Sequence, residues 1–231
     1  GDLGGFGHPI TFGGLESMVT VFCVVGVINA LNLIDGIDGL CASLCLVTFG
    51  GILTLVKLTG TSVSVSLLLY FSAALFAFLI VNLGLTQRIV KKVFLGDAGT
   101  TIIGFFLCWH LIRMSNGDNA VFRPITAVWL LALPIMDTLA VMIRRIRLNK
   151  SPFLPGRDHI HHILLRVGFS TQKVLGILIA LSVALAGIGI LGEIKRFPEP
   201  FMFYGILAIF VLYFIFTEKL SQKFGSGPDT R

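Results

Sequence analysis

Apolar segments long enough to cross a bilayer restrict the fold of this chain more than any other feature of its sequence. A helix needs about 20 mostly apolar residues to span the hydrocarbon, where every backbone polar group must bond within the chain. With 55% hydrophobic and only 13% charged residues, the composition is typical of a membrane protein. We therefore predict an all-α fold, a polytopic transmembrane helix bundle. About seven spans are expected, at residues 15–32, 40–58, 65–85, 99–114, 123–143, 174–192 and 200–217.

The basic residues predict an orientation for this bundle. If the spans alternate in direction, thirteen of the 18 Lys and Arg residues fall on the same side as Asp35 and Asp38. The positive-inside rule makes that side cytoplasmic. The predicted location is the bacterial cytoplasmic (inner) membrane, with a multi-pass topology and with membrane lipids as partners of the basic loops. The sequence contains no basic patch interleaved with aromatics, so nucleic acid is not an expected partner.

The domain organisation follows from the same pattern. One transmembrane domain is expected over residues 15–220, with a long cytoplasmic loop at 144–170. The glycine-rich residues 1–14 predict an irregular extracytoplasmic loop, and residues 221–231 predict a flexible cytoplasmic tail. Because the sequence begins with Gly rather than Met, we interpret this domain as part of a longer protein.

Four acidic residues interrupt the apolar pattern. Asp35 and Asp38 lie in the turn between the first two spans, Asp97 lies at the start of the fourth, and Asp137 lies inside the fifth. A carboxylate near the bilayer core costs roughly 2.5–3.5 kcal/mol. Such residues are retained where they line a polar cavity, bind a cation or move a proton, so they are candidates for the functional site.

Three polar motifs fall on the predicted cytoplasmic face: the turn at residues 32–40, the segment at 91–101, and the loop at 144–168 with its histidines. Each has a simpler structural explanation. Asp97 is suited to a helix N-cap, the two aspartates of the first motif are common in turns, and the basic loop is suited to anchoring at the membrane surface.

Taken together, the motifs favour phosphate chemistry. Carboxylates and the carbonyl of Asn32 are oxygen ligands suited to Mg²⁺, with Mn²⁺ as the alternative. Arg157 and the neighbouring histidines suit a diphosphate, and a cation with Arg stabilises charge on a transferring phosphoryl group. A zinc site built from His159, His161 and His162 is less favoured, because closely spaced histidines rarely converge on one metal and no Cys assists them.

The three motifs resemble those of the polyprenyl-phosphate N-acetylhexosamine-1-phosphate transferases. The resemblance rests on NxxDGxDGL at 32–40, FLGDAGT at 94–100 and HIHH at 159–162, and it extends over about residues 20–170. Residues 151–153, which run into Arg157 and the histidines, are most similar to the branch that uses UDP-N-acetylglucosamine and undecaprenyl phosphate.

The resemblance implies an activity and a site. Sugar-1-phosphate would pass from a UDP-N-acetylhexosamine to undecaprenyl phosphate, UMP would leave, and Mg²⁺ would be required, in the first membrane step of envelope polysaccharide synthesis. The roles it implies are as follows: Asn32 and Asp97 as metal ligands, Asp35, Asp38, Asp97 and His159 as catalytic residues, and Asp38, Asn82, Arg157, His159, His161 and His162 as substrate-binding residues. Asp137 is either a structural residue or a partner of a loop Arg or His.

One family element has no counterpart in this sequence. Members carry an Asp-Asp-x-x-Asp element upstream, thought to act on the acceptor phosphate, and this chain contains no adjacent pair of aspartates. Family members also have around ten or eleven spans. We therefore expect the chain to correspond to the C-terminal part of the family pattern, with metal, nucleotide and diphosphate groups but an incomplete acceptor site.

Several alternatives remain open at this stage. An ion- or metal-coupled transporter could use Asp137 and the histidine loop as a proton relay. An inactive remnant could bind the UDP-sugar without turnover. A covalent phospho-aspartate on Asp97 or Asp35 is less favoured than direct attack by the lipid phosphate. The sugar epimer, the downstream polymer and a homo-oligomeric state are also undetermined.

Overall fold

The computed structural model describes residues 13–86, 91–117, 119–153 and 156–224, and within these ranges it is helical, without strands. A short 3₁₀ helix, Gly13–Leu15, leads into the first α-helix. The α-helices of the described part are α1 Glu16–Ile34, α2 Leu40–Thr59, α3 Ser66–Asn82, α4 Gly96–Ser115, α5 Pro124–Leu130, α6 Ala132–Arg147, α7 Ile160–Val167, α8 Thr171–Ile194 and α9 Glu199–Phe224.

The helices pack as a bundle in which α2 is extensively buried. It contacts α3, α4 and α8, while α1 packs on α4 and α6, and α9 packs on α5, α6 and α7. An aromatic cluster joins three of these helices: the rings of Phe71 and Phe106 stack with centroids 3.9 Å apart, and Phe49 packs edge-on against both. Phe22 of α1 and Phe201 of α9, by contrast, remain largely exposed, as side chains facing lipid would be.

The predicted span at 123–143 is not one continuous helix. It is divided into α5 and α6, which meet at an angle of 77°. Pro134 lies in the first turn of α6. Backbone N–H groups in the first turn have no acceptor within the helix, so the absence of an N–H on proline costs no hydrogen bond there. At the bend the Leu130 carbonyl accepts a 2.9 Å hydrogen bond from Thr48 of α2. This bond satisfies a carbonyl that the interrupted helix would otherwise leave unpaired in the core.

Each predicted span contains a helix, but the structure does not establish the number of crossings. Four helices of the described part, α1, α2, α8 and α9, are long and apolar enough to cross a membrane, and the bent α5–α6 pair could form a fifth crossing. Helix α3 has only 17 residues. The all-α membrane bundle is therefore confirmed, while the seven-span count stays a prediction.

Two boundaries of the predicted organisation change. Helix α9 continues to Phe224, so residues 221–224 are helical rather than part of a flexible tail. The predicted loop at 144–170 contains the end of α6 and all of α7. Residues 225–231, and residues 1–12 of the expected extracytoplasmic loop, lie outside the described residues.

Candidate functional site

The end of α1 and the start of α4 bring the first two motifs into contact. The Asn32 side-chain amide donates to Asp97 at 2.9 Å and to the Thr100 hydroxyl at 3.1 Å. Asp97 lies in the first turn of α4, where the helix dipole favours a negative charge. The two helices can approach closely because a Cβ on Gly104 of α4 would lie only 3.2 Å from the backbone of Ile28.

The turn between α1 and α2 is held by a buried asparagine. The Asn82 side chain accepts a 2.6 Å hydrogen bond from the Gly39 N–H and donates a 2.8 Å bond to the Val93 carbonyl. Gly39 has a φ of +77°, which favours glycine. Asp38 forms an ion pair with Lys92. These contacts tie the turn to the segment that precedes Asp97, so the first two motifs form one structure.

Asp35 lies in the same turn, and its environment disfavours a negative charge. Burial, followed by repulsion from the Asp38 carboxylate, raises the pKa of Asp35 to about 6. A bound cation would relieve both effects. The turn therefore carries two carboxylates, Asp35 and Asp38, and Lys92 can balance the charge of only one of them.

The histidine motif lies against this turn. A Cβ on Gly36 would lie 2.1 Å from Nε2 of His161, so only glycine allows the ring to approach this closely. His161 is fully buried, and neither of its ring nitrogens has a hydrogen-bond partner among the described residues. Burial, followed by repulsion from His162, lowers the pKa of His161 to about 3. Burial also lowers the pKa of His162, with smaller contributions from His159 and Arg157.

Asp137 holds His159 from the core side. One carboxylate oxygen lies 2.8 Å from His159 Nδ1, within hydrogen-bond distance, and the other accepts from the Ile160 N–H at 3.0 Å and the Tyr213 hydroxyl at 2.9 Å. Asp137 is 2% exposed and His159 is also 2% exposed. The position of Asp137 within an apolar helix is thus explained by a partner on the loop.

A second set of contacts fixes the loop that precedes α7. Arg145 donates to the Asp158 carboxylate from Nε and Nη2, each at 3.2 Å, and to the Pro152 carbonyl. Arg144 donates to the Asp158 carbonyl at 3.1 Å and to Thr217 of α9 at 3.2 Å. The adjacent Arg157 is exposed and available to a ligand.

The structure places every predicted site residue at one end of the bundle. Asn32 and Asp97 touch directly, Asn82 supports the turn that carries Asp38, and His161 packs on that turn. Asn82 is 5% exposed with both ends of its amide occupied, so its place is behind the turn. His162 is half-buried.

Sequence reasoning missed three contributors. Tyr213 is one aromatic residue among many in an apolar helix, and nothing in its local sequence marks it. Thr100 belongs to the second motif but was given no role. Nothing in the local sequence marks the contacts of Asp158 with Arg144 and Arg145, because basic residues near a span end are also expected from the positive-inside rule.

The donor set at this end suits a cation shared with a ligand rather than a closed metal cage. Among the described residues, no three His, Cys, Asp or Glu side chains come together to hold a metal. Asn32 and Asp97, however, lie together beside an acidic turn, and since the Asn32 amide N–H donates to Asp97 and Thr100, the Asn32 carbonyl oxygen and the second Asp97 oxygen are the atoms left for a cation. Two protein ligands completed by water and phosphate oxygens are typical of Mg²⁺ sites, so these residues fit that ion.

The transporter alternative loses most of its support. The structure does contain a broken helix pair, α5–α6, which the sequence did not indicate. Asp137, however, already makes three hydrogen bonds and holds a loop. Its burial is thereby explained without an ion pathway.

The described part of the chain is a bundle of apolar helices with a cluster of polar side chains at one end, and comparisons with known proteins add a family resemblance. The model of glycosyl transferase family 4 matches residues 3–115. The matched part of the chain is similar to this family, and the apolar helices are those of a multi-pass membrane protein.

Curated proteins similar to this chain carry more specific names than the family does. The chain is 41% identical over 198 residues to a protein of Yersinia pestis, an alignment that covers 85% of this chain and 54% of the relative. It is 39% identical over 196 residues to one of Escherichia coli K12, covering 84% and 53%. It is 38% identical over 204 residues to one of Haemophilus influenzae, covering 88% and 58%. Each is named an undecaprenyl-phosphate alpha-N-acetylglucosaminyl 1-phosphate transferase. The chain spans about half the length of these curated relatives.

Proposed function

We propose that the protein transfers N-acetylglucosamine-1-phosphate from UDP-N-acetylglucosamine to undecaprenyl phosphate and releases UMP. The observation that carries the proposal is the hydrogen bond between Asn32 and Asp97, formed at the same end of the bundle where His161 packs on Gly36. The two residues that we assign to a cation, the acidic turn and the histidine loop thus lie together, which supports the proposal. The names of the relatives support undecaprenyl phosphate as the acceptor and N-acetylglucosamine 1-phosphate as the transferred group, and the motif resemblance supports the UDP-linked donor.

The reaction is a displacement at phosphorus. An oxygen of the lipid phosphate attacks the sugar-bearing phosphorus of the nucleotide, and a new P–O bond forms. The bond from that phosphorus to the oxygen of UMP breaks, and UMP leaves with the electron pair. Both substrates are anions, so the main tasks of the protein are to position them and to offset their charge.

We assign the cation to Asn32 and Asp97. Bound Mg²⁺ would neutralise the charge of the diphosphate oxygens there, with Mn²⁺ as an alternative. The protein's own residues position that cation. The Asn32 amide holds Asp97 in place, and Asp35 adds negative charge in the turn beside the assigned cation. Asp38, fixed by Lys92, is assigned to the nucleoside.

The histidine loop is assigned to the diphosphate and sugar. Arg157 is exposed beside the site and can donate to phosphate oxygens. His159, His161 and His162 line the same side, with Asn82 holding the turn from behind. In this arrangement the protein lies in the bacterial inner membrane with its site at the cytoplasmic surface, where a soluble nucleotide meets a lipid headgroup.

The experiment is a UMP-release assay on the full-length protein in detergent or vesicles, with UDP-N-acetylglucosamine and undecaprenyl phosphate. We expect Asp97→Asn and Asn32→Ala to reduce Mg²⁺-dependent release by at least about 100-fold, because each removes an oxygen ligand or its support. Thr20→Val, on the exposed face of the same helix as Asn32, is the matched control. Wild-type release in both site variants would refute the assignment.

The same assay tests whether residues 1–231 suffice. If the acceptor site needs the aspartate element expected upstream, these residues alone should bind UDP-sugar but release no UMP. Turnover by residues 1–231 alone would show that the element is dispensable.

A further inference from the structure

His159 is the residue of the histidine motif with the most constrained chemistry. Its Nδ1 faces one oxygen of Asp137 at 2.8 Å. An ionised carboxylate can only accept hydrogen bonds, so this contact requires a proton on Nδ1. The other ring nitrogen, Nε2, is buried and has no partner among the described residues. A buried polar atom without a partner is costly, which points to a ligand at Nε2.

The Asp137 carboxylate is itself held so that it cannot turn. Its second oxygen accepts both the Ile160 N–H and the Tyr213 hydroxyl. The first of these donors belongs to the first turn of α7, so Asp137 fixes the helix and the ring together. The ring of His159 also lies parallel to that of His161, with centroids 6.0 Å apart.

We propose that Asp137, held by Tyr213, is a positioning residue that keeps His159 protonated on Nδ1 and presents Nε2 to the diphosphate of the nucleotide sugar. This inference rests on the proposed function. When the diphosphate binds, Nε2 takes up one proton and donates to a phosphate oxygen. The imidazolium then lies between two anions, the phosphate and Asp137, and the carboxylate offsets its charge.

Other charged and titratable groups face this pair, and the test must separate them. Arg144 lies beside Asp137 and bonds the loop backbone at Asp158. His161 and His162 lie on the α7 side. None of these groups contacts His159 Nδ1, so a change at Asp137 that acts through His159 can be distinguished by its effect on one ring.

Asp137→Asn is the informative substitution, because it preserves shape and reverses one hydrogen bond. The amide oxygen must still accept from Ile160 and Tyr213, which leaves the amide NH₂ facing His159 Nδ1. Two donors cannot face each other, so the ring is expected to move its proton to Nε2. Neutral His159 then donates from Nε2 without taking up a proton.

The first readout is the tautomer, measured by ¹⁵N NMR of histidine-labelled full-length protein without substrate. We expect the Nδ1–H form of His159 in the wild type and the Nε2–H form in Asp137→Asn. Thr217→Val is the matched control: it lies one turn from Tyr213 on α9 and bonds Arg144 rather than Asp137. It should leave the tautomer unchanged. An Nε2–H form in the wild type would overturn the proposal.

The second readout is the pH dependence of KM for UDP-N-acetylglucosamine. If binding takes up a proton at Nε2, the wild-type KM should rise about tenfold per pH unit above its midpoint. In Asp137→Asn and in His159→Gln this slope should disappear, and the double variant should lose no more than His159→Gln alone. A merely structural role for Asp137 would lower the yield of folded protein and leave the slope in place, which would refute the inference.

The two readouts separate this inference from the proposed function. If the wild type carries Nδ1–H but releases no UMP, the transferase assignment fails while the positioning role of Asp137 stands. If UMP is released and KM keeps its slope in His159→Gln, the transferase assignment stands and this inference fails.

Discussion

The contact between Gly36 and His161 gives the sharpest prediction about this site. A methyl group added at Gly36 would place its carbon 2.1 Å from His161 Nε2, whereas ordinary contacts begin near 3.4 Å. The Gly36→Ala variant must therefore separate the turn and the ring by about 1.3 Å. The ring cannot simply rotate away, because His161 is fully buried and its centroid lies 4.1 Å from that of His162.

The size of the effect follows from this displacement. Overpacking of a closely packed site typically costs about 1–3 kcal/mol of stability. A misplacement of about 1 Å between reacting groups can cost about 100-fold in rate. Because the turn carries Asp35 and Asp38, we expect Gly36→Ala to lose about 100-fold in UMP release and about 1–3 kcal/mol in the free energy of unfolding.

The assay compares two alanine variants in the full-length protein. Gly50→Ala is the matched control, since Gly50 lies in α2 with no atom within 4 Å of its added Cβ. It should keep wild-type activity and gain about 0.5–1 kcal/mol of stability. Adding His161→Ala to Gly36→Ala should recover stability by removing the clashing ring. Wild-type release and stability in Gly36→Ala would show that the two motifs do not meet in this way.

Further predictions concern stability in detergent. The pKa of His161 is about 3 in the folded protein but about 6.5 when unfolded, so the unfolded chain takes up its proton first as the pH falls below 6.5. Lowering the pH from 7.5 to 5.0 should therefore reduce the free energy of unfolding by about 2 kcal/mol. His161→Phe should remove that part of the dependence of stability on pH. Thr48→Val should cost about 1–3 kcal/mol in chemical unfolding, because it leaves the buried Leu130 carbonyl unpaired, and an unchanged midpoint would contradict the role given to this bond. Asn82→Leu should destabilise by a similar amount and also reduce UMP release, since it frees the Gly39 turn, whereas intact activity would separate Asn82 from the site.

The sequence predicted the parts of this protein that depend on local chemistry. Apolar length predicted the helices, and the polar motifs predicted which residues would meet, on the expectation that alternating spans return the motifs to one membrane face. Asp137 was recognised as unusual, with a loop histidine among its candidate partners. These inferences need only chain direction and the cost of burying charge.

The remaining features depend on three-dimensional packing. Pro134 is compatible with a helix start, but only the Thr48 bond from α2 shows how a 77° bend at Leu131 is accommodated. Asn82 has no local sequence feature that reveals its bonds to Gly39 and Val93. Tyr213 contacts a residue 76 positions earlier, and no pattern within α9 indicates that contact.

The distance along the chain between Asp137 and Tyr213 has a consequence for biosynthesis. Ribosomes add about 5–20 residues per second, so about 4–15 s pass between synthesis of the aspartate and of the tyrosine that anchors it. During this interval the nascent chain holds a carboxylate in α6 without its full set of donors. Premature termination before α9 would remove the Tyr213 donor from Asp137 and the Thr217 acceptor from Arg144, so such products would hold the histidine loop by fewer bonds.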